Sequence, residues 1–415
     1  MTSAGRRLVL LLMTVASAGY VSRVAITVAA PGIIDEFHLT SAQMGSVFSA
    51  FLLGYTLFQV PSGLLADRIS ARPIFIAVSA GWVGLTVLTA LVGWRSIGVQ
   101  TALLQFWMIR GLFGVVTAPT YPTSGRTVAA AVPAMLRARA NSLVLSSVGI
   151  GSALTPILLA PVANRYGWRA GMAAAAVICA IAGLIWWRLA PAQRAIEHGD
   201  FSRVSPSHYD VSRHPLGTPS FWFLFGSYFL QAYLGYIFVF WFFLYLVQVR
   251  HFEVLNAAAF TALPWVATIF AIPIGGVLSD AAAMRWGSTQ GRRVVPVAAL
   301  CAAAGFLVAG ARTSNAGVAV AALTVCTVLV LCTEGPFWAA MTELAGERSG
   351  LAGGAMNLGG NLGGLISPTL TPWLAERMGW EQTLTFTAGL AIVAGMLWLG
   401  VRVQTRDERL ASELR

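Results

Sequence analysis

The sequence predicts an all-α membrane protein in which twelve transmembrane helices form two pseudo-symmetric six-helix bundles. Three observations lead there. Of 415 residues, 57% are hydrophobic and only 10% charged, with a mean hydropathy of +0.72; a soluble chain is about 25% charged. All 27 basic residues are Arg. Of these, 19 fall at the two termini and in the loops after even-numbered apolar runs, and six (Arg95, Arg165, Arg169, Arg250, Arg312, Arg377) fall on the other side. This is the positive-inside asymmetry, and it places both termini in the cytoplasm. Finally, two spacings recur. Gly63-x3-Asp67 returns as Gly276-x3-Asp280, 213 residues later, and Gly151-x4-Pro156 returns as Gly363-x4-Pro368, 212 residues later. Two independent features with nearly one offset indicate a duplicated six-helix unit.

A helical span needs about 20 apolar residues. Runs of that kind lie near 8–32, 44–66, 73–94, 98–120, 140–163 and 169–190 in the first half. In the second they lie near 218–247, 257–280, 294–312, 316–341, 351–375 and 382–403. The longest polar stretch, 191–217, divides the chain into an N-terminal bundle (1–190), a cytoplasmic linker and a C-terminal bundle (218–415). The first run imitates a secretory signal, with Arg6 and Arg7 before an apolar core and Ala16-Ser17-Ala18 after it. It is expected to be retained, because the apolar run continues to Ala30 and cleavage would leave an odd number of spans.

The formal charge of +11 does not indicate nucleic acid binding, because its distribution is a topology signal. The cysteines (Cys179, Cys301, Cys326, Cys332) all fall in spans without metal-ligand spacing and read as small apolar packing residues. The histidines lie in or near loops and do not cluster. No phosphate-binding glycine loop and no nucleophile constellation occurs, so neither a cofactor nor an enzymatic activity is expected. The glycines near 353–364 follow small-residue helix packing. Short termini fit a multi-pass protein of a bacterial inner membrane, with monomer as the default state.

Arg23 and Arg110 lie inside apolar runs. An arginine near the centre of a membrane helix costs about 2.5–3.5 kcal/mol on insertion scales, so such a charge normally faces protein or a water-filled cavity. One reading is an anion site; the other is a charge neutralised by buried carboxylates that merely holds helices together. At the end of span 2, Gly63 reads as a point of close helix approach. Asp67, with Arg68 and Arg72 beside it, reads as an ionic latch at the cytoplasmic face, repeated at Asp280. The alternative is a static loop ion pair worth about 0–1 kcal/mol.

Several stretches carry a resemblance. Gly63–Arg72 resembles the loop signature of the major facilitator superfamily. Tyr20-Val-Ser-Arg23 with Ala29-Ala-Pro31, Gln43–Tyr55 with Gln59-Val-Pro-Ser-Gly63, Arg110-Gly-Leu-Phe-Gly114 with Ala118-Pro119 and Pro122, Arg137-Ala-Arg139-Ala140, and Gly353–Pro368 are similar to the anion:cation symporter family within it. That family includes sugar-acid, hexuronate, phthalate, sialic-acid and vesicular glutamate transporters. The resemblance spans about residues 20–400. It implies the major facilitator fold, a small organic anion as substrate, often a carboxylate, and alternating access by rocking of two bundles. It also implies a substrate-binding set of Arg23, Tyr20, Tyr55, Arg110, Trp338, Asn357 and Asn361. Within it Arg23 meets the carboxylate, Trp338 packs on the substrate, and Arg110 is associated with coupling and gating.

The chain departs from the family where members that couple to protons carry acids. The position before Arg23 is Ser22 instead of Asp, and the position seven after Arg110 is Thr117 instead of Glu. Of the 16 acidic residues, only Glu334 lies well inside a span, next to Gly335-Pro336, which interrupts the helix and frees backbone groups. Glu334 is therefore the candidate proton carrier, and a permanent ion pair with Arg110 is its structural alternative. Span 7 is rich in aromatics. Its face through Tyr228, Gln231 and Gly235 either lines the site or packs.

The favoured function is proton-coupled symport of a small organic anion. The alternative is an exchanger, facilitator or exporter of metabolites or drugs on the same fold, although Gly149–Pro156 matches the drug-antiporter signature of span 5 poorly. A ligand sensor is expected to carry a long cytoplasmic domain, and only about a dozen residues follow Val403.

Overall fold

A computed structural model describes residues 3–94, 98–132, 134–190, 215–345 and 349–403. Among them every regular element is helical. In the first half these are α1 (Ser3–Phe37), α2 (Ser41–Arg68), α3 (Ala71–Leu91), α4 (Val99–Thr117), α5 (Thr120–Ala131), α6 (Ala134–Tyr166) and α7 (Trp168–Leu189). In the second they are α8 (Pro219–Phe240), α9 (Val254–Trp286), α10 (Ser288–Arg312), α11 (Ala316–Cys332), α12 (Glu334–Ala345), α13 (Ser349–Met378) and α14 (Trp380–Leu397). Most of the predicted linker, 191–214, lies outside the described residues.

Ten stretches are long and apolar enough to cross a membrane. Two further helices, α2 and α13, complete the predicted twelve. They are 28 and 30 residues long but less apolar. Gln43, Gln59 and several Ser lie in α2, and Asn357, Asn361 and seven glycines lie in α13. Spans 4 and 10 are each two helices, α4–α5 and α11–α12. The interruptions lie at Ala118–Pro119 and at Thr333, and at or beside each stands the carbonyl four residues before a proline, that of Ala118 before Pro122 and of Cys332 before Pro336. Proline lacks the N–H that would bond the carbonyl four residues back, and its ring crowds that carbonyl.

The described residues form two compact units. One takes Met1–Ser205 and Phe240–Trp265, the other Pro206–Val239 and Val266–Arg415. The first unit thus includes the end of span 7 and the start of span 8. Phe240 stacks on Phe48 with ring centroids 5.0 Å apart, and Trp241 meets the same ring edge-on at 5.5 Å.

The repeated Gly-x4-Pro acquires a physical meaning. A Cβ at Gly151 of α6 would fall on the Ser17 carbonyl oxygen of α1. A Cβ at Gly363 of α13 would fall on the Phe229 carbonyl oxygen of α8. The duplicated glycine is where span 5 crosses span 1 and span 11 crosses span 7, backbone against backbone. A third echo lies at the same offset. Gly167-Trp168 and Gly379-Trp380 begin α7 and α14, with glycine φ of 86° and 83°, a region that favours glycine. Gly63 behaves differently from its expected role: a Cβ there would meet no atom within 4 Å, so no close helix approach is formed at that glycine.

Gly363→Leu is accordingly expected to destabilise the protein by at least about 1–3 kcal/mol, the range for overpacking a filled site. Gly63→Ala is expected to be near neutral. Thermal unfolding of the purified variants in one detergent compares them.

Candidate functional site

Each unit holds an ionisable side chain inside a predicted span. In the first, Arg23 of α1 is only 6% exposed. Its Nη1 donates to the Tyr20 hydroxyl at 3.0 Å, one helical turn back. Its guanidinium lies 4.5 Å from the Phe51 ring centre and 5.1 Å from that of Tyr20. Arg110 of α4 is 1% exposed, and its Nη2 donates to the backbone carbonyl of Arg23 at 3.0 Å. It also lies over Phe113 at 4.7 Å and Phe51 at 5.4 Å. Within its own unit Arg110 meets no carboxylate among the described residues; it braces α4 against the α1 backbone and gives Arg23 a fixed seat. Tyr55 of α2 is buried and stacks on Phe51 at 5.8 Å.

The two positions where the family carries acids hold neutral networks. Ser22 Oγ and Cys179 Sγ of α7 are hydrogen-bonded at 2.9 Å, and Thr86 Oγ1 of α3 donates to Ser22 at 3.4 Å. The Cys179 thiol also donates to the Ala18 carbonyl at 3.2 Å. Thr117 Oγ1 accepts the Trp82 indole N–H at 2.9 Å and donates to the Phe113 carbonyl at 2.6 Å. Trp82 is fully buried, and its ring fills the space a Cβ on Gly19 would take. These side chains join α1, α3, α4 and α7 without any charge.

In the second unit, Glu334 opens α12. The Tyr228 hydroxyl donates to Oε2 at 3.1 Å and the Gln231 amide to Oε1 at 3.1 Å. The same Gln231 nitrogen reaches the Val330 carbonyl at 3.2 Å, just before the break in span 10. Both partners come from the predicted α8 face. The other aromatics of α8 pack: a Cβ on Gly359, Gly360 or Gly364 of α13 would collide with the rings of Phe225, Tyr228 and Tyr236 in turn. The α8 face therefore both holds the carboxylate and fills the glycine stripe. Trp338 is 42% exposed and lies one helical turn beyond Glu334, Asn357 is half-buried, and Asn361 is 6% exposed.

The expected latch is partly described. The Asp67 side chain lies outside the described residues and Arg68 is exposed. Arg72 Nη2 donates to the Trp187 carbonyl at 2.9 Å. Arg126 of α5 donates to the carbonyls of Ala66 and Ile69, tying α5 to the end of α2. At the second copy, Arg292 bridges Asp280 and Glu343, each at 2.5 Å, and bonds Ser279 at 3.1 Å. The spacing of Asp280 pointed to this cluster; Glu343, 63 residues away on α12, carried no such signal. Sequence reasoning also missed a clamp between the end of α1 and the start of α7. There Arg169 binds Glu36 through both Nη atoms at 2.5 and 2.6 Å, with the Trp168 indole on the same carboxylate at 2.8 Å.

Residues 11–368 match the family profile of the Major Facilitator Superfamily. Among curated relatives, a protein of Cupriavidus necator described as "Probable sulfoacetate transporter SauU" is 27% identical, over 91% of this chain and 89% of its own. The D-galactonate transporter of Escherichia coli O6:H1 is 28% identical, over 95% of both chains. The hexuronate transporter of Bacillus subtilis is 27% identical, over 91% and 90%. Among solved structures, a bacterial homolog of the human lysosomal transporter Spinster superposes with a TM-score of 0.80 at 18% identity, over 98% of this chain and 99% of that one. That likeness speaks for the fold.

Ser22→Asp tests whether the neutral network is closed to charge. A carboxylate added among Cys179 and Thr86, with no cation bonded to them, is expected to cost about 3 kcal/mol or more of stability. Ser22→Ala is expected to cost about 1 kcal/mol. Unfolding of both variants beside the parent protein checks the ranking.

Proposed function

Because the chain belongs to the Major Facilitator Superfamily, and is therefore a multi-pass membrane transporter and not an enzyme, we propose that it carries a small organic acid across a bacterial inner membrane by alternating access, in symport with protons. Arg23 is the observation that carries this reading. It is a guanidinium buried in an apolar helix, held by the Arg110 brace and flanked by tyrosine hydroxyls, which suits a carboxylate or another oxyanion. The relatives, described as transporters of sulfoacetate, D-galactonate and hexuronate, support the same class. Tyr20, Tyr55, Trp338, Asn357 and Asn361 complete the binding set. The bundles are 1–190 and 218–415, joined by a cytoplasmic linker, with both termini cytoplasmic and the protein a monomer.

Glu334 is the proton carrier in this reading. As a carboxylate it accepts from Tyr228 and Gln231. Once protonated it must donate its own hydrogen, and either neighbour can turn to accept, since a phenol oxygen and an amide oxygen both have lone pairs. Proton uptake therefore reorients α8 side chains beside the break in span 10. Asp67, Arg68 and Arg72, with Asp280 as their repeat, act as a cytoplasmic latch; the Asp280–Arg292–Glu343 bridge supports that role. A second reading, anion exchange without protons, draws on the neutral networks at Ser22 and Thr117.

Uptake into proteoliposomes decides between them. With D-galactonate, a hexuronate and sulfoacetate as probes, Arg23→Ala is expected to lower uptake of the transported acid at least about 100-fold, the worth of an ion pair to substrate. Glu334→Gln is expected to remove the response to an imposed pH gradient while leaving anion exchange. If Glu334→Gln still responds to the gradient, symport through this residue is wrong and exchange takes its place.

A further inference from the structure

We propose that paired arginines at the ends of spans 6 and 12 form two sites, one in each unit, for the phosphate headgroup of an anionic membrane lipid. In the second unit the pair is Arg293 of α10 and Arg402, just beyond α14. The chain leaves α14 through Trp398–Gly400 and turns extended at Val401. Residues 401–403 are then strapped across the starts of α8 and α10. Arg293 Nε donates to the Val401 carbonyl at 2.7 Å. The Arg402 N–H donates to Ser220 Oγ at 3.0 Å, and the Val403 N–H to Thr289 Oγ1 at 3.0 Å. Val401 and Val403 are buried in the apolar core of that unit. Successive side chains of an extended segment point to opposite sides, so burying both valines turns Arg402 outward, and it is exposed.

The same arrangement recurs in the first unit. Arg72 Nη2 of α3 donates to the Trp187 carbonyl near the end of α7 at 2.9 Å. The next residue is Arg188, exposed, with its guanidinium 5.0 Å from the Trp187 ring centre. In both units an arginine from the start of span 3 or 9 caps a carbonyl at the end of span 6 or 12. In both, the residue after that carbonyl is a second, exposed arginine. Like charges set together call for an anion between them. Arg402 is the charged neighbour of Arg293, and none of the four arginines forms an ion pair among the described residues. Arg293 gives Nε to the carbonyl, which leaves the Nη edge of its planar fork for the oxygens of a phosphate.

The surroundings select a lipid over a soluble anion. Val294 and Leu399 beside the second pair are exposed, as are Trp187 and Leu189 beside the first, and all four lie on helices apolar enough to cross a membrane. A soluble phosphate leaves that apolar surface uncovered; the acyl chains of a phospholipid cover it. All four arginines are among the 19 that the asymmetry of basic residues assigns to the cytoplasmic side. There, basic pockets between spans attract anionic headgroups.

The inference stands apart from the transport reading, and its test uses no substrate. Native mass spectrometry of the full chain counts the lipids retained from detergent micelles doped with phosphatidylglycerol or with phosphatidylcholine. The parent protein is expected to retain two phosphatidylglycerol molecules where phosphatidylcholine is lost. Arg402→Gln and Arg188→Gln are each expected to weaken one of the two sites at least about five-fold and leave the other unchanged. The double variant is expected to weaken both. Arg285→Gln, at another exposed arginine of the same side, is expected to retain two. Inorganic phosphate in excess is expected to displace neither. Equal retention of the two lipids, or unchanged retention in the double variant, overturns the inference. An equal loss in Arg285→Gln reduces the effect to general surface charge and also overturns it. Displacement by inorganic phosphate makes the pairs sites for a soluble anion and overturns the lipid assignment.

Discussion

Phe51 stands between two guanidinium groups. Arg23 lies 4.5 Å from its ring centre and Arg110 5.4 Å, so one aromatic ring meets both charges. Each cation gains from the electron-rich face of a ring, most when water is excluded. The Arg110 guanidinium gains further from the Arg23 carbonyl. Arg110 can then remain in a low-dielectric bundle with no carboxylate against it among the described residues of its unit. The position of Arg23, the approach of α2 and α4, and the placing of the tyrosines all depend on this arrangement.

The duplication reuses backbone geometry and leaves chemistry free to diverge. In both halves a glycine lets span 5 or 11 cross span 1 or 7 at main-chain distance, and in both a proline breaks span 4 or 10. At the break in the first half stand Thr120 and Tyr121; at the second stands Glu334. One half therefore presents a cation with neutral donors. The other presents a carboxyl group held by Tyr228 and Gln231. Two copies of one scaffold carry opposite charges because the contacts that build the fold are made by glycine, proline and main-chain carbonyls, which are indifferent to what the remaining side chains carry.

Much of this was legible in the residues. The twelve spans follow from composition and arginine placement. Arg23 and Glu334 stand out because charge inside an apolar run is expensive. The paired Gly-x4-Pro marks a repeat before its crossings are seen. What could not be read were partners brought together by tertiary packing. Ser22 and Cys179 are 157 residues apart, and Arg110 binds a backbone carbonyl, which no sequence pattern records. Gly63 shows the opposite case: a glycine in a loop signature suggests close packing, and a Cβ there would meet no atom within 4 Å.

The absence of acids at Ser22 and Thr117 is not a gap left by lost residues. Ser22 is tied to Cys179 and Thr86, and Thr117 to Trp82 and its own helix, so each hydroxyl is spent on neutral partners that join separate helices. Restoring a carboxylate at either place requires breaking those bonds and burying a charge where no cation is bonded. In the proposed reading, neutral networks at these two positions leave the positive charge of the first unit for the solute. In the proposed transport reading, protonation falls to Glu334, whose two neighbours Tyr228 and Gln231 can switch between donating and accepting. Under that proposal, anion recognition and proton handling rest on different side chains, so a substrate would not have to displace a carboxylate bonded to Arg110 in order to be coupled.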